Sequence, residues 1–151
     1  MAYKLISVEN QTTKNVALGI SYQANNGVFT SVYTTNAQAI LNLKTLLLTR
    51  VGERYGFPEY GTFLLNVIFQ PITNDIKKQI EDFIIPQVNK FLSYITIERI
   101  DVVTLEDDPT LDHLVTVTIN FTIDNINTSS LQISANEDGT LLVNELLVNE
   151  L

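Results

Sequence analysis

The apolar residues of this chain recur with two periods, one helical and one typical of strands. Between residues 36 and 48, leucine and isoleucine return at helical spacing and predict a helix with a broad apolar face. Thr35 and Gln38 have the spacing of a capping box at its start. Arg50 and Gly52 suit its last turn and a left-handed cap. The pattern therefore predicts one long helix that is covered on more than one side.

A second helical pattern runs from Ile76 to Leu92, with Pro86 inside it. Proline removes a backbone donor and clashes with the preceding turn. Pro86 therefore either ends this helix, starts another one or kinks a longer one.

Three later segments alternate in the manner of strands: residues 94–105, 114–123 and 130–134. In the first, the apolar phase slips between Ile97 and Ile100, which indicates a bulge. The second alternates without a fault and predicts one buried and one wet face. Near the N-terminus, Asn25-Asn26-Gly27 has the chemistry of a tight turn and predicts a hairpin. We expect an α+β fold, with two main helices packed on a small, mainly antiparallel β-sheet that includes this hairpin.

The length of 151 residues fits one main domain with two additions. We predict an N-terminal arm over residues 1–15, the domain over 16–134 and a C-terminal tail extension over 135–151. The tail ends in LLVNELLVNEL, which repeats Leu-Leu-Val-Asn-Glu twice. A period of five suits neither a helix nor a strand. We expect this apolar segment to lie on a partner or on its own domain.

Composition excludes several classes of function. The net charge is −8 and the nine Lys and Arg residues are dispersed, so we expect no nucleic-acid partner. The absence of cysteine excludes disulfides, thiol catalysis and the common structural zinc sites. We expect no membrane span and no signal peptide, since no apolar window is long enough. The simplest site of synthesis is a cytoplasm, before the protein joins an assembly.

Candidate chemistry is concentrated after the first helix, in a loop that combines charge with aromatic residues. Glu53 and Glu59 form a carboxylate pair of the kind that hydrolyses glycosides. Arg50 and Arg54 lie in the same loop, and arginine–carboxylate pairs that fix the loop are the favoured explanation. Tyr60 and its aromatic neighbours serve either core packing or an interface.

His113 is the only histidine, and it follows the acidic turn Glu106-Asp107-Asp108. A metal site needs several ligands at suitable spacing, which this stretch lacks. We expect a surface histidine, a solvated turn, no metal and no cofactor.

The segments LLLTRVGERYGFPEYG and LLNVIFQPIT resemble the signature of the baseplate wedge family of contractile tails. That family includes gene product 25 of T-even phages, the phage W protein and the TssE component of type VI secretion. The residues that match its pattern in order are Thr49, Arg50, Gly52, Glu53, Arg54, Pro58, Glu59, Tyr60 and Gly61, followed by Phe69 and Pro71. The resemblance covers roughly Val16 to Ile133.

The resemblance implies a structural baseplate wedge subunit of a contractile phage tail or a related injection machine, not an enzyme, located in the virion tail baseplate after assembly in the host cytoplasm. It implies binding to other baseplate wedge proteins within a large hetero-oligomer, and a sheath-like surface on which the tail sheath protein assembles. The family's Glu-Pro-Arg step, which touches a neighbouring wedge subunit, aligns with Ile85-Pro86-Gln87 or near Ser93-Tyr94, without its charges. The partner-binding residues we predict are Arg50, Glu53, Arg54, Glu59, Tyr60, Pro86 and Gln87.

Sheath attachment by addition of a strand would use an exposed sheet edge or a terminal segment. Our candidates are the strand Leu114 to Ile123 and the tail Leu141 to Leu151. Two alternatives remain open: a peptidoglycan hydrolase that uses Glu53 and Glu59, and an acidic regulatory module that binds a basic partner.

Overall fold

The computed structural model describes residues 16–25, 28–69, 75–104, 107, 115–124, 127–136 and 139–146. It confirms an α+β fold with mainly antiparallel strands. In chain order the elements are β1 (Gly19–Asn25), β2 (Val28–Val32), α1 (Thr35–Leu48), α2 (Leu64–Ile68), α3 (Ile76–Phe91), β3 (Ile95–Thr104), β4 (Val115–Ile123), β5 (Asn127–Ala135) and β6 (Leu141–Leu146). No helix within these ranges is both long and apolar enough to cross a bilayer. The boundaries predicted for an arm, a domain and a tail stay a prediction.

The chain divides into two compact units after Gln38. In the first unit, β1 and β2 pair antiparallel, and Asn25 lies opposite Val28. The predicted hairpin is therefore confirmed, although Asn26 and Gly27 of its turn lie outside the described residues. The expectation that it joins the main sheet is wrong, because β1 and β2 form a separate two-stranded sheet.

The ends of α1 differ from the sequence prediction by one or two residues. Thr35 is the first helical residue, and the side chain of Thr34 accepts a hydrogen bond from the Ala37 N–H at 3.3 Å. The helix ends at Leu48, so Arg50 lies beyond its last turn. Gly52 has the left-handed backbone expected of it, with φ at 90°, but it lies in the following loop rather than at the helix end.

Helix α3 continues through Pro86 without a break. Its buried residues recur every fourth position, from Ile76 and Ile80 to Ile84 and Val88. Pro86 itself is exposed, so the carbonyl left without a donor one turn earlier can bind water. The predictions that Pro86 ends one helix or starts another are therefore wrong.

The second unit is built on a four-stranded antiparallel sheet in the order β3-β4-β5-β6. All three helices contribute apolar side chains to one core cluster with this sheet. The fully buried members of the cluster include Leu43, Leu46, Leu47, Leu64, Ile80, Ile84, Val88, Ile119, Phe121, Leu131 and Ile133. The predicted bulge is confirmed, because the register of β3 against β4 shifts between Ile97 and Arg99. Glu98 is the extra residue, and the shift returns Ile100 to the core.

The other face of the sheet is less wet than the alternation of β4 predicts. Thr116 and Thr122 are buried, at 6% and 7% exposure. The hydroxyls of Thr116 and Ser134 are 3.2 Å apart, and Thr122 donates to the carboxylate of Glu98. Cross-strand polar pairs therefore cover parts of a face that alternation alone marks as solvated.

The strand predicted for attachment, β4, is an interior strand. It pairs with β3 on one side and with β5 on the other, so its backbone groups are already used. The prediction that β4 offers an edge is therefore wrong. The tail supplies the edge instead, since residues 141–146 form β6 against β5. Residues 147–151 of the predicted tail segment lie outside the described residues.

We expect Ser134→Ala to lower the free energy of unfolding by about 1 kcal/mol, because it leaves the buried Thr116 hydroxyl without its partner. The double variant Thr116→Val/Ser134→Ala should lose less than the sum of the two single variants, because both polar groups are then removed together. Urea denaturation of the four proteins measures the coupling, and strictly additive losses would contradict it.

Candidate functional site

The loop over residues 49–63, between α1 and α2, is closed at its base by Thr62. The Thr62 N–H donates to the Thr49 carbonyl at 2.8 Å, and its hydroxyl donates to the Leu47 carbonyl at 2.9 Å. The same hydroxyl oxygen accepts from the Leu64 N–H at 3.3 Å. The end of α1 and the start of α2 are thus bound to one side chain, which satisfies groups that helix ends otherwise leave open.

Within the loop, a second set of backbone hydrogen bonds fixes its tip. The Gly52 N–H donates across the loop to the Pro58 carbonyl at 2.8 Å. Phe57 and Tyr60 each donate to the carbonyl three residues earlier, on Arg54 and Phe57, at 3.1 Å. The 49–63 loop is therefore internally hydrogen-bonded although most of its tip is exposed.

Glu53 bonds to the backbone of Arg50 rather than to a guanidinium. Its carboxylate accepts the Arg50 N–H at 2.9 Å, while its own N–H donates to the Arg50 carbonyl at 3.0 Å. Among the described residues, neither Arg50 nor Arg54 forms an ion pair. The expectation that arginine–carboxylate pairs fix the loop is therefore wrong, and a reciprocal backbone contact fixes it instead.

Glu59 forms an ion pair with Lys90 of α3, with 2.6 Å between Oε2 and Nζ. The hydrogen bond from Lys90, together with its positive charge, holds the pKa of the Glu59 carboxyl below its ordinary value. A general acid in glycoside hydrolysis needs the opposite shift. Glu59 is therefore an ionised carboxylate whose solvent-exposed ion pair joins the loop to α3.

An aromatic cluster also joins the loop to α3. The rings of Phe57 and Tyr60 lie 5.5 and 5.2 Å from the ring of Phe91. The Arg54 guanidinium lies 4.0 Å from the centre of the Tyr60 ring, and Phe57 is still 52% exposed. Tyr60 thus contributes to packing, while one edge of the cluster stays open to solvent.

Gln87 and Pro86 have different positions on α3. Gln87 lies four residues from both Phe83 and Phe91, so it shares their side of the helix. Phe83 packs on Phe63 of the loop at 5.4 Å, and Phe91 packs on Tyr60. Gln87 therefore faces the loop, whereas Pro86 is exposed to solvent.

The two outer edges of the main sheet differ in protection. Edge strand β3 carries the bulge and an exposed charge pair, with 2.7 Å between Arg99 and Asp101. Bulges and charges are common devices against unwanted strand pairing. Edge strand β6 is regular, exposes Leu142, and pairs on its outer side with no other described strand. Its one described charge, Glu145, is bound to Lys44 of α1 at 2.5 Å.

The predicted site residues thus separate into one cluster and two outliers. The cluster lies in the 49–63 loop and consists of Glu53, Arg54, Glu59 and Tyr60, with Gln87 of α3 facing it. The first outlier is Arg50, which contributes mainly its backbone. The second is Pro86, which lies on the exposed side of α3. The sequence analysis missed Lys90, Phe91, Lys44 and Glu145. No local pattern marks Lys90 as a partner of Glu59, because the contact spans 31 positions.

Among the residues that the structure describes, no group of three His, Asp or Glu side chains could hold a metal ion. His113 and most of the acidic turn before it lie outside that part. Asp107 is described, and its carboxylate accepts hydrogen bonds from the N–H and the hydroxyl of Thr104.

A fixed loop with charged and aromatic side chains, together with a sheet that has an open edge, is typical of proteins that act by binding other proteins. The family of baseplate wedge protein gp25 matches residues 37–128, from the first turn of α1 to the start of β5. The chain therefore belongs to the gp25 baseplate wedge family, and it is a structural protein of the phage tail baseplate. The match is narrower than the resemblance inferred from the sequence, and it includes neither the hairpin nor β6.

A solved structure has the same fold. A Geobacter sulfurreducens protein, provisionally named a tail lysozyme, superimposes with a TM-score of 0.52 over 78% of this chain and 94% of its own. The two sequences are 16% identical, so the likeness concerns the fold, and the name describes that protein. No curated protein sequence matches this chain.

We expect Gly61→Ala to destabilise the protein by about 2–4 kcal/mol. Gly61 has φ at 121°, and a Cβ atom there would lie 2.5 Å from the Thr49 carbonyl oxygen. Gly56→Ala is the matched control, because its added Cβ meets nothing within 4 Å. Thermal unfolding compares the two, and equal stability of both variants would contradict this role for Gly61.

We expect the Glu59 carboxyl to titrate below 4.5, its ordinary pKa. Because the folded-state pKa is the lower one, pairing with Lys90 stabilises the fold above this value and is lost as the pH falls through the folded pKa. Carboxyl-detected NMR titration measures the shift. Lys90→Gln should raise the Glu59 pKa, and Lys77→Gln on the exposed side of α3 should not.

Proposed function

We propose that this chain is an inner baseplate subunit that binds wedge scaffold proteins through its 49–63 loop and receives the first tail sheath subunits on strand β6. The loop site comprises Arg50, Glu53, Arg54, Glu59 and Tyr60, extended on α3 by Gln87 and Pro86. The observation that carries the proposal is the contrast between the two sheet edges, of which one is protected and the other open.

The loop supports the first part of this proposal because its shape is set before any partner arrives. Its backbone hydrogen bonds and the Glu59–Lys90 pair hold the tip, so binding orders few additional groups. Arg54 and Tyr60 belong to residue types that are enriched at the energetic centres of interfaces. The Arg54 side chain rests on the Tyr60 ring, which leaves its charge available to an acidic or carbonyl-rich partner.

Strand β6 supports the second part. An added strand gains main-chain hydrogen bonds from an open edge, and side chains on alternate positions give specificity. Leu142 points away from the core and is 44% exposed, while Leu141 and Val143 pack against the core. The edge is thus anchored on its inner face and apolar in part on its outer one.

No observation favours the hydrolase alternative. Glu53 is engaged with the Arg50 backbone, and Glu59 is an ion-paired carboxylate with a lowered pKa. The regulatory alternative predicts a basic partner outside the tail particle, whereas the family match places the chain's relatives in a baseplate.

We expect Arg54→Glu to weaken recovery of wedge proteins by tenfold or more when the tagged chain is co-expressed with the proteins of one tail and purified by affinity. Lys77→Glu makes the same change of charge on the exposed side of α3 and should leave recovery unchanged. Retention of wedge proteins by a folded Arg54→Glu variant would remove the loop from the interface.

We expect Leu142→Lys to reduce sheath binding while wedge proteins are still recovered, because a lysine on an edge opposes strand addition. Thr96→Lys, on the exposed side of β3, is the control and should bind sheath normally. Equal loss in both variants would contradict the choice of β6 as the receiving edge.

A further inference from the structure

The C-terminal sequence contains the same hexapeptide twice. Residues 141–146 and residues 146–151 both spell LLVNEL, and the two copies share Leu146. The first copy is strand β6, and residues 147–151 of the second copy lie outside the described residues. The second copy is a complete strand sequence, so it can fit the same site as the first.

The site that the first copy occupies is defined by three kinds of contact. Its backbone pairs with β5 over six positions, from Ala135 opposite Leu141 to Ser130 opposite Leu146. On its inner face, Leu141 and Val143 pack against the core cluster. At the same face Glu145 reaches Lys44, whose side chain is only 16% exposed.

We propose that the edge of β5 is a binding site for the LLVNEL hexapeptide and that either copy can fill it. A shift of the chain by five residues places an identical residue at every position of β6. Val148 replaces Val143, Glu150 replaces Glu145 beside Lys44, and Leu151 replaces Leu146. The second copy therefore reproduces the backbone pairing, the apolar contacts and the ion pair of the first.

The connection to β5 decides which copy prevails. In the described state, Asn136 and Thr140 close the connection between β5 and β6: the Asn136 N–H donates to the Thr140 carbonyl and its side-chain amide donates to the Thr140 hydroxyl, both at 3.0 Å. The shift breaks these hydrogen bonds and doubles the length of the connection. The first copy should then prevail by roughly 10- to 1,000-fold, since a doubled loop and a few lost hydrogen bonds are modest penalties.

This duplication has a consequence for the open edge. Because both copies place the same residues at the same positions, the outer side of β6 looks identical to a partner in either state. The sheet also retains its fourth strand when the first copy is displaced or damaged. This inference concerns the chain's own strand and is independent of which protein binds the edge.

The absence of cysteine allows a direct test by cross-linking. Lys44→Cys is combined in turn with Glu145→Cys, Glu150→Cys or Asn149→Cys. A short bis-maleimide then joins the two thiols. It is chosen because it spans a longer distance than a disulfide, which needs Cα atoms within about 7 Å. Position 149 controls for random collisions, since it adjoins 150 but belongs to the opposite face of a strand. We expect the 44–145 product to dominate, with the 44–150 product slower by roughly 10- to 1,000-fold.

Val143→Asp then forces the choice, because it places a charge on the core face of the first copy only. In this background we expect the 44–150 product to become the main one, while the 44–149 product stays at its former rate. Val148→Asp should leave the wild-type pattern, and Val143→Asp/Val148→Asp should lose both products. The proposal is overturned if Val143→Asp fails to raise the 44–150 product above the 44–149 product. It is equally overturned if Val143→Asp unfolds the chain as completely as the double variant.

Discussion

The site depends on the contact that Thr62 makes with the end of α1. A helix ends with carbonyls that lack donors, and α1 ends inside the protein at a chain reversal. Thr62, which is 1% exposed, donates to the carbonyls of Leu47 and Thr49 and accepts from Leu64. Its approach requires the positive φ of Gly61, where any Cβ would strike the Thr49 carbonyl. The glycine of the signature at position 61 is therefore explained by backbone geometry before any partner is considered.

The positions of the exposed residues of the 49–63 loop depend on these hydrogen bonds of Thr62. The Glu53 carboxylate accepts a hydrogen bond from the Arg50 N–H, and the Glu59 carboxylate forms an ion pair with Lys90. The acidic groups that suggested catalysis are thus structural, whereas Arg54 stays available above the Tyr60 ring. In a chain with a net charge of −8, this leaves a local positive group on a prearranged surface. Such an arrangement favours selective protein binding over chemistry.

Sequence reasoning predicted those features that are local in the chain. The pairing of β1 with β2, the Gly52 conformation and the bulge near Glu98 follow from short-range patterns, and the structure contains all three. It failed where the answer depends on distant partners. Lys90 could not be assigned to Glu59, and β4 could not be recognised as interior, because the alternation within a strand does not show on which sides it has neighbours. A sheet edge is a property of the whole topology, so periodicity within one strand cannot reveal it.

The asymmetry of the two edges explains why the tail matters. An unprotected edge invites pairing with any extended chain, and most proteins block it. Here β3 is blocked by a bulge and by the Arg99–Asp101 pair. The single described charge of β6, on Glu145, instead forms an ion pair with Lys44 on the inner face of the strand. If β6 were lost, β5 would become the edge, and its buried Leu131 and Ile133 would lose part of their cover. A second identical strand sequence directly after the first protects against that loss without altering the surface that a partner meets.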